Sequence, residues 1–292
     1  MLELSDCTLR IDNYAISQWL TCRRKFWFRI IDGLVPNTPN GTARGFGASI
    51  HEALRVWYDP ATCATDDKER FALTCNAFYA EWAKTGVEDA MRNTKVAESV
   101  LRQYCAKWSL EWFDPIHVEV GFAMPLTSDI IYEGRMDLIA RDRASDKLIV
   151  VDHKTSARKP GSVMQEIKAR QMSGYVWAAQ QLSDVGVLCN SAIYNYVIIT
   201  TQPQYERILT TRTREQLAEW VDATIRIVNE IRVANTFEDC YCNQEMCNMY
   251  SRCDYLELCN CPNGSRAALI AHKFTRKPWS AFEQGLIFSE EK

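Results

Sequence analysis

The chain has 292 residues, 47% of them hydrophobic and 24% charged, with a formal net charge of −3. That length and apolar content suffice for a large core in one elaborated domain, or one domain plus a helical part. No apolar run approaches the ~20 residues that span a bilayer, and the acidic balance excludes binding a polyanion through the whole surface, leaving local basic patches.

The start, Met1-Leu2-Glu3-Leu4-Ser5-Asp6, has neither the basic residues nor the apolar run of a secretory leader, so a cytoplasmic location is expected. Apolar periodicity predicts helices over 14–32 and 43–58, with Pro36, Pro39 and Gly41 between them and Pro60 ending the second. Two longer amphipathic helices are predicted over 66–84 and 88–113. Strands follow near 117–124, 130–142 and 147–153, then a helix from 163 to 183, strands at 191–201 and 204–210, and a helix from 213 to 234. The segment 262–292, with Pro262-Asn263-Gly264 and Lys277-Pro278-Trp279, reads as an irregular C-terminal arm. The order β-β-β-α-β predicts an α/β fold, a mixed sheet flanked by helices. The expected organisation is an N-terminal helical region (1–113), a core (114–235), a cysteine-rich region (236–261) and the arm; no repeat or low-complexity segment interrupts it.

Chemistry concentrates in two predicted strands. Leu148-Ile149-Val150-Val151 is a buried-strand run, and it leads into Asp152-His153-Lys154-Thr155. Alternation puts Asp152 and Lys154 on one face and His153 on the other. Asp137 lies in the strand before, within Gly134-Arg135-Met136-Asp137, joined through the polar turn Arg143-Ala144-Ser145-Asp146. A hairpin brings neighbouring strands together, so that, depending on register, the two acids share one cation. Carboxylates hold hard cations through oxygen, and such a cation promotes phosphodiester hydrolysis. An isolated D-x-K tripeptide is as easily a solvated strand end with an ion pair. Glu119, in His117-Val118-Glu119-Val120, alternates as a strand residue and is either a third carboxylate of that site or an exposed position.

Cysteines carry a second signal. Of twelve, six crowd together as Cys240, Cys242, Cys247, Cys253, Cys259 and Cys261. In a reducing compartment such a cluster favours metal over disulfides. The regular series Cys247, Cys253, Cys259 supplies three thiolates, and a fourth is needed from upstream. Cys7, Cys63, Cys75, Cys105 and Cys189 read as small buried residues.

Four elements taken in order resemble the PD-(D/E)XK nuclease superfamily, specifically its RecB-like exonuclease branch. Gly47-Ala48-Ser49-Ile50-His51-Glu52-Ala53-Leu54 is similar to the branch's helical histidine motif; Gly134 to Asp137 to its G-x-x-D strand; Asp152-His153-Lys154 to its D-x-K; and Gln171-Met172-Ser173-Gly174-Tyr175 to its Q-x-x-x-Y helix. The resemblance implies a restriction-endonuclease-like core. It implies that His51, Asp137, Asp152 and the main-chain carbonyl of His153 hold Mg²⁺ or Mn²⁺, that Lys154 is catalytic, and that Gln171 and Tyr175 support the site or contact DNA. AddB-type and CRISPR-associated iron–sulfur members have one cysteine in a basic-aromatic N-terminal helix and three near the C-terminus. By that likeness Cys22 joins Cys247, Cys253 and Cys259 around a [4Fe–4S] cluster, with Zn²⁺ as the alternative; Cys240, Cys242 and Cys261 remain substitutes for any of these.

Basic clusters suggest phosphate contacts: Arg23, Arg24 and Lys25 on the first helix, Arg158 and Lys159 past the D-x-K strand, and Lys168 and Arg170 before Gln171. Trp19, Phe26, Trp27 and Phe28 are either base-stacking residues or core. No G-x-x-x-x-G-K-[ST] loop is present, so no ATP is expected, and any helicase or recombination activity belongs to a partner. The expectation is a metal-dependent exonuclease acting on single-stranded DNA ends in replication, recombination or repair, in a bacterial, archaeal or phage-infected cell and away from membranes. The alternatives are a non-catalytic or partner-dependent DNA-binding subunit, and an RNA-processing nuclease.

Overall fold

A computed structural model describes residues 8–37, 41–84, 87–159, 170–182, 189–234, 236–248 and 252–280. The chain forms two compact units interleaved in sequence: the first from Met1–Pro39, Ala123–Gly134 and Ala218–Gln284, the second from Asn40–Phe122, Arg135–Leu217 and Gly285–Lys292. These units cut across the four consecutive regions read from the sequence.

The second unit is built on a mixed sheet. Strand β4 (Ile130–Asp142), whose N-terminal end belongs to the first unit, turns back into β5 (Leu148–Ser156) with Leu138 opposite Val151 and Ala140 opposite Ile149. The parallel neighbour of β5 is β6 (Cys189–Ile198), and β7 (Gln204–Thr211) returns antiparallel beside it. The strand β3 (Phe113–Thr127) pairs with β4 on its other side. A parallel strand buried on both faces needs continuous apolar sequence, and Ile149, Val150 and Val151 are all buried. One face carries Ile149, Val151, Ile193 and Val197 into a core with helices α3 (Gly41–Tyr58), α5 (Asp67–Trp82) and α6 (Thr94–Lys107), through Phe46, Trp57, Phe78 and Tyr104. The short α4 (Pro60–Cys63) begins on a proline at its first position, capped by Asp59. Helix α7 (Arg170–Leu182) packs against β5 and β6, burying Met172, Tyr175, Val176 and Ala179.

In the first unit β1 (Leu9–Asp12) runs parallel to the start of β4, Leu9 opposite Ile130 and Asp12 opposite Glu133. Asp12 then caps α1 (Asn13–Thr21), its Oδ1 accepting from the Ala15 amide at 2.7 Å. The helix expected over 14–32 breaks at Cys22, which is extended, and resumes as α2 (Arg23–Phe26) and a π-turn over Trp27–Ile31. Phe28, Leu34, Tyr255, Leu258 and Phe274 form a small separate core. The helix α8 (Arg214–Val233) links the two units along the chain.

Three expectations require correction. Residues 88–93 are not helical: the Asp89 carboxylate accepts from the amides of Met91 and Arg92, folding a turn, and Asn93 caps α6 by accepting from Val96. The strand β3 begins at Phe113, where helix was expected to end. The C-terminal segment is not irregular throughout: after α9 (Leu256–Asn260) come helix α10 (Asn263–Lys273), seeded by good helix formers from Arg266 onward, and β8 (Phe274–Arg276), paired antiparallel with β2 (Leu34–Pro36). The N-terminal third of the expected 163–183 helix lies outside the described residues. No described helix is long and apolar enough to cross a membrane.

Candidate active site

The antiparallel register of β4 with β5, extended by one residue beyond Leu138 and Val151, sets Asp137 opposite Asp152. Their connection is direct: the His153 amide donates to Asp137 Oδ2 at 2.7 Å. Burial alone would raise the Asp137 carboxyl, but His51, His153, Lys154 and that amide outweigh it, and its pKa lies below the usual carboxylate value. Asp152 goes the other way: burial pushes it up to about 6 against the pull of Lys154, and the Asp137 charge adds to the rise.

His51 comes from α3. Its Nδ1 lies 3.5 Å from Asp137 Oδ2. What brings the helix this close is Gly47, one turn earlier: a β-carbon there would stand 2.7 Å from Thr155 Oγ1 of β5.

Lys154 Nζ lies 2.7 Å from Asp152 Oδ2 and donates to Gln171 Oε1 at 3.0 Å. Gln171 Nε2 in turn donates to the Tyr175 hydroxyl at 3.0 Å. Gln171 and Tyr175 are one turn apart on α7, so one helix face supplies both.

Glu119 sits in β3 with φ +52°, a left-handed conformation that few side chains adopt. Alternation fails just after it, since Val120, Gly121 and Phe122 are all buried, as at a bulge that re-aims a side chain. The carboxylate pairs with Arg135 at 2.6 Å, and burial, with the Asp137 charge, pushes it up to about 7.

On the opposite face of β5, His153 meets a polar network that the sequence reading did not anticipate. Tyr58 stacks on its ring, with centroids 5.5 Å apart, and Asn195 Nδ2 lies 2.8 Å from His153 Nδ1. The same Nδ2 donates to the Tyr104 hydroxyl, and Arg207 donates to Asn195 Oδ1. Arg207 also forks onto Glu111 at 2.6 and 2.7 Å, a buried ion pair. Burial pushes His153 down to about 3, so its ring is neutral, and Asn195 as donor places the ring proton on Nε2. The available signal was a lone Asn between two tyrosines in an otherwise apolar strand.

Among the described residues, no three His, Cys, Asp or Glu side chains already converge as a single-ion cage. The donors nonetheless suit a hard divalent cation. Asp152 Oδ2 and Glu119 Oε2 are buried, with cationic neighbours yet no hydrogen bond of sound geometry, and both carboxyls are raised for want of positive charge.

The first unit holds the thiols. Cys22, at the break between α1 and α2, accepts from the Asn243 amide at 3.3 Å across 221 residues. The sulfurs of Cys242 and Cys247 are 4.0 Å apart. Cys253 interacts with Cys22 and Cys247, and Cys259 with Cys22, Cys253 and Cys242. Every described cysteine is a free thiol. Burial, with Cys22 and Cys259 nearby, pushes Cys242 up to about 12 and likewise Cys259 to about 11 with Cys22 and Cys253, so thiolates here need a bound cation. Cys75, Cys105 and Cys189 are buried singly and Cys63 half-buried; Cys7 lies outside the described residues.

The expected nucleic-acid residues divide. Arg158 is exposed and Lys159 pairs with Glu206 at 2.7 Å. Arg170 is half-buried at the start of α7, and Lys168 lies outside the described residues. Arg23 lies over Trp19 and Tyr241 and pairs with Glu230. Arg24 is turned inward, over the Phe237 ring at 3.6 Å and bonded to the Cys240 carbonyl. The Lys25 charge faces Cys253. Trp19, Phe26 and Phe28 are core, and Trp27 packs on Phe237.

Among solved structures, a crystal structure from Eubacterium rectale described as a candidate exonuclease is 10% identical, covering 80% of this chain and 85% of its own with a TM-score of 0.49. The crystal structure of SSO0001 is 17% identical, covering 61% and 75%, with a TM-score of 0.24. At those scores neither bears on activity. No curated protein matches the sequence. The family comparison is decisive: residues 14–260, which contain both acids, the lysine, the histidine motif and the glutamine helix, match the model of the PD-(D/E)XK nuclease superfamily, and the chain belongs to that superfamily.

Proposed function

We propose that the protein is a Mg²⁺- or Mn²⁺-dependent DNA exonuclease of the RecB-like branch that acts on single-stranded ends, with an iron–sulfur cluster held by cysteines of the first unit. The observation that carries the catalytic reading is the pairing of Asp137 with Asp152 across two strands, beside a lysine whose ammonium is held at a fixed point by Gln171.

Asp137, Asp152, His51 and the His153 carbonyl would hold the cation, with Glu119 completing the oxygen set. When bound, that cation supplies Lewis-acid polarisation of the phosphodiester and acidifies water. The remaining work belongs to the chain. Lys154 places positive charge where the phosphorane gains negative charge, and orients the attacking water toward phosphorus. Gln171 fixes the ammonium through its carbonyl oxygen, and Tyr175 fixes the amide by accepting from its nitrogen. The neutral ring of His153, clamped by Asn195 and Tyr58, holds the β5 backbone whose carbonyl would be the ligand. Exposed Arg158 and half-buried Arg170 are the candidates for phosphate contacts beside this site.

The test is digestion of end-labelled single- and double-stranded DNA by anaerobically purified protein with Mn²⁺, Mg²⁺ or chelator, beside Asp152→Ala. Loss of single-strand label that requires metal and is absent in the variant supports the reading, and the product ladder gives polarity. Cleavage of RNA but neither DNA form would replace the substrate class. Undiminished cleavage by Asp152→Ala would overturn the site itself.

A further inference from the structure

Five thiols share one neighbourhood in the first unit, whereas a tetrahedral zinc or a cubane cluster takes four. The regular spacing of Cys247, Cys253 and Cys259 favours those three with Cys22, but the folded chain ranks the sulfurs differently. Cys242 is the sulfur with the most thiol neighbours: it lies 4.0 Å from Cys247, hydrogen-bonds with Cys259 and interacts with Cys22. Cys247 meets Cys242 and interacts with Cys253, and its own sulfur is directed to the Asn243 carbonyl at 3.8 Å.

The backbone gives an independent reason. The residue after Cys242 is docked on the N-terminal ligand twice over: the Asn243 amide donates to Cys22 Sγ, and its side-chain amide donates to the Thr21 carbonyl at 3.1 Å. An amide aimed at sulfur stabilises a thiolate, and this one comes from the position adjoining Cys242. Cys240 is not a rival: its side chain is fully buried and its carbonyl is occupied by Arg24. Cys261 turns its sulfur to the Leu258 carbonyl at 3.4 Å. Cationic side chains suited to a negatively charged centre are at hand, Lys25 beside Cys253 and Arg24 beside Cys259.

We propose that Cys242, rather than Cys247, completes the metal-binding set with Cys22, Cys253 and Cys259, and that Cys247 is a neighbouring free thiol. The assignment rests on the reading that this unit holds a metal centre, and it applies equally to a cluster and to zinc.

The experiment uses the whole chain, purified without oxygen, in wild-type form and as Cys242→Ala, Cys247→Ala and Cys253→Ala. Iron, acid-labile sulfide and zinc are counted per chain, and far-UV circular dichroism is recorded beside them. Cys242→Ala is expected to fall to the metal content of Cys253→Ala, at least tenfold below wild type, while Cys247→Ala keeps the wild-type content. A measurement on the unaltered protein guards against a variant that fails to fold. In metal-loaded wild type, brief alkylation followed by mass spectrometry should label Cys247 and spare Cys22, Cys242, Cys253 and Cys259; after acid and chelator, all five should be labelled. Full metal in Cys242→Ala, loss of metal in Cys247→Ala, or protection of Cys247 in the loaded protein would overturn the assignment alone. Wild-type protein without iron or zinc would overturn the metal centre and the assignment together.

Discussion

Lys154 and Gln171 are linked by one hydrogen bond, and their variants should separate chemistry from positioning. Lys154→Ala is expected to lower kcat by about 10²- to 10⁴-fold, the range for losing a positioned charged group in such a step. Mn²⁺ binding, followed by calorimetry, should persist because the carboxylates remain. Gln171→Ala should lower kcat less and leave KM unchanged, since the ammonium keeps Asp152 as a partner but loses its second anchor. A KM effect larger than the kcat effect would instead make Gln171 a substrate contact.

Asp12 offers a test by pH. Burial, opposed by the Ala15 amide and Trp279 and reinforced by Glu133, pushes its carboxyl from 3.8 up to about 6. A raised carboxyl favours the folded state in its protonated form. That contribution is full below about pH 4 and is lost as pH rises through 6, amounting to about 3 kcal/mol. Asp12→Asn keeps an N-cap acceptor but cannot ionise, so its stability relative to wild type should improve between pH 4 and 7 in urea unfolding. A difference that stays flat across that range would show that Asp12 is not perturbed. The acids, His51, Lys154, Gln171 and Tyr175 could be placed on shared faces from sequence because strand and helix periods are local. The left-handed Glu119 backbone and the Asn195–Arg207–Glu111 chain could not, because each depends on partners from separate segments.

At the scale of elements, α3 lies against β5 because Gly47 has no side chain. Gly47→Ala requires Thr155 to shift, and overpacking of this kind costs about 1–3 kcal/mol. Activity should fall with stability, because His51 is on the next turn, and the double variant Gly47→Ala with Thr155→Ala should recover much of both. The buried Arg207–Glu111 pair ties β7 to the segment between α6 and β3. Arg207→Met strands a buried carboxylate and should cost about 3–5 kcal/mol by denaturant unfolding, whereas Arg207→Met with Glu111→Leu should cost far less. The strands of the second unit were readable, since β-branched runs and a short polar turn announce them. The strand β1 was not, because its four residues pair with a segment more than a hundred positions away, and local pattern does not encode a partner. The early helix start at 88 failed for the opposite reason: the Asp89 and Asn93 side chains bond the backbone locally and override the apolar period.

At the scale of the molecule, the first unit is sewn from both ends of the chain and a short internal piece. A metal centre joining Cys22 to Cys253 and Cys259 closes a loop of more than two hundred residues, which in chain-entropy terms is worth on the order of 4 kcal/mol. Stripping it anaerobically with acid and chelator should lower Tm by on the order of 10 °C. An unchanged melting curve would mean that the small core around Phe28 and Tyr255 holds the unit unaided. Composition made a large core legible, and cysteine spacing made a thiol site legible. The interleaving of the units was not, because it follows from which distant segments pair.

That interleaving also imposes an order in time. During synthesis Asp137, Asp152, Lys154, Gln171 and Tyr175 all emerge before Cys242, Cys253 and Cys259 exist. About eighty residues separate Tyr175 from Cys259, which at ribosomal speed is on the order of ten seconds. A nascent chain therefore carries its catalytic side chains while Cys22 waits without its partners, and metal loading is a late step in the protein's maturation.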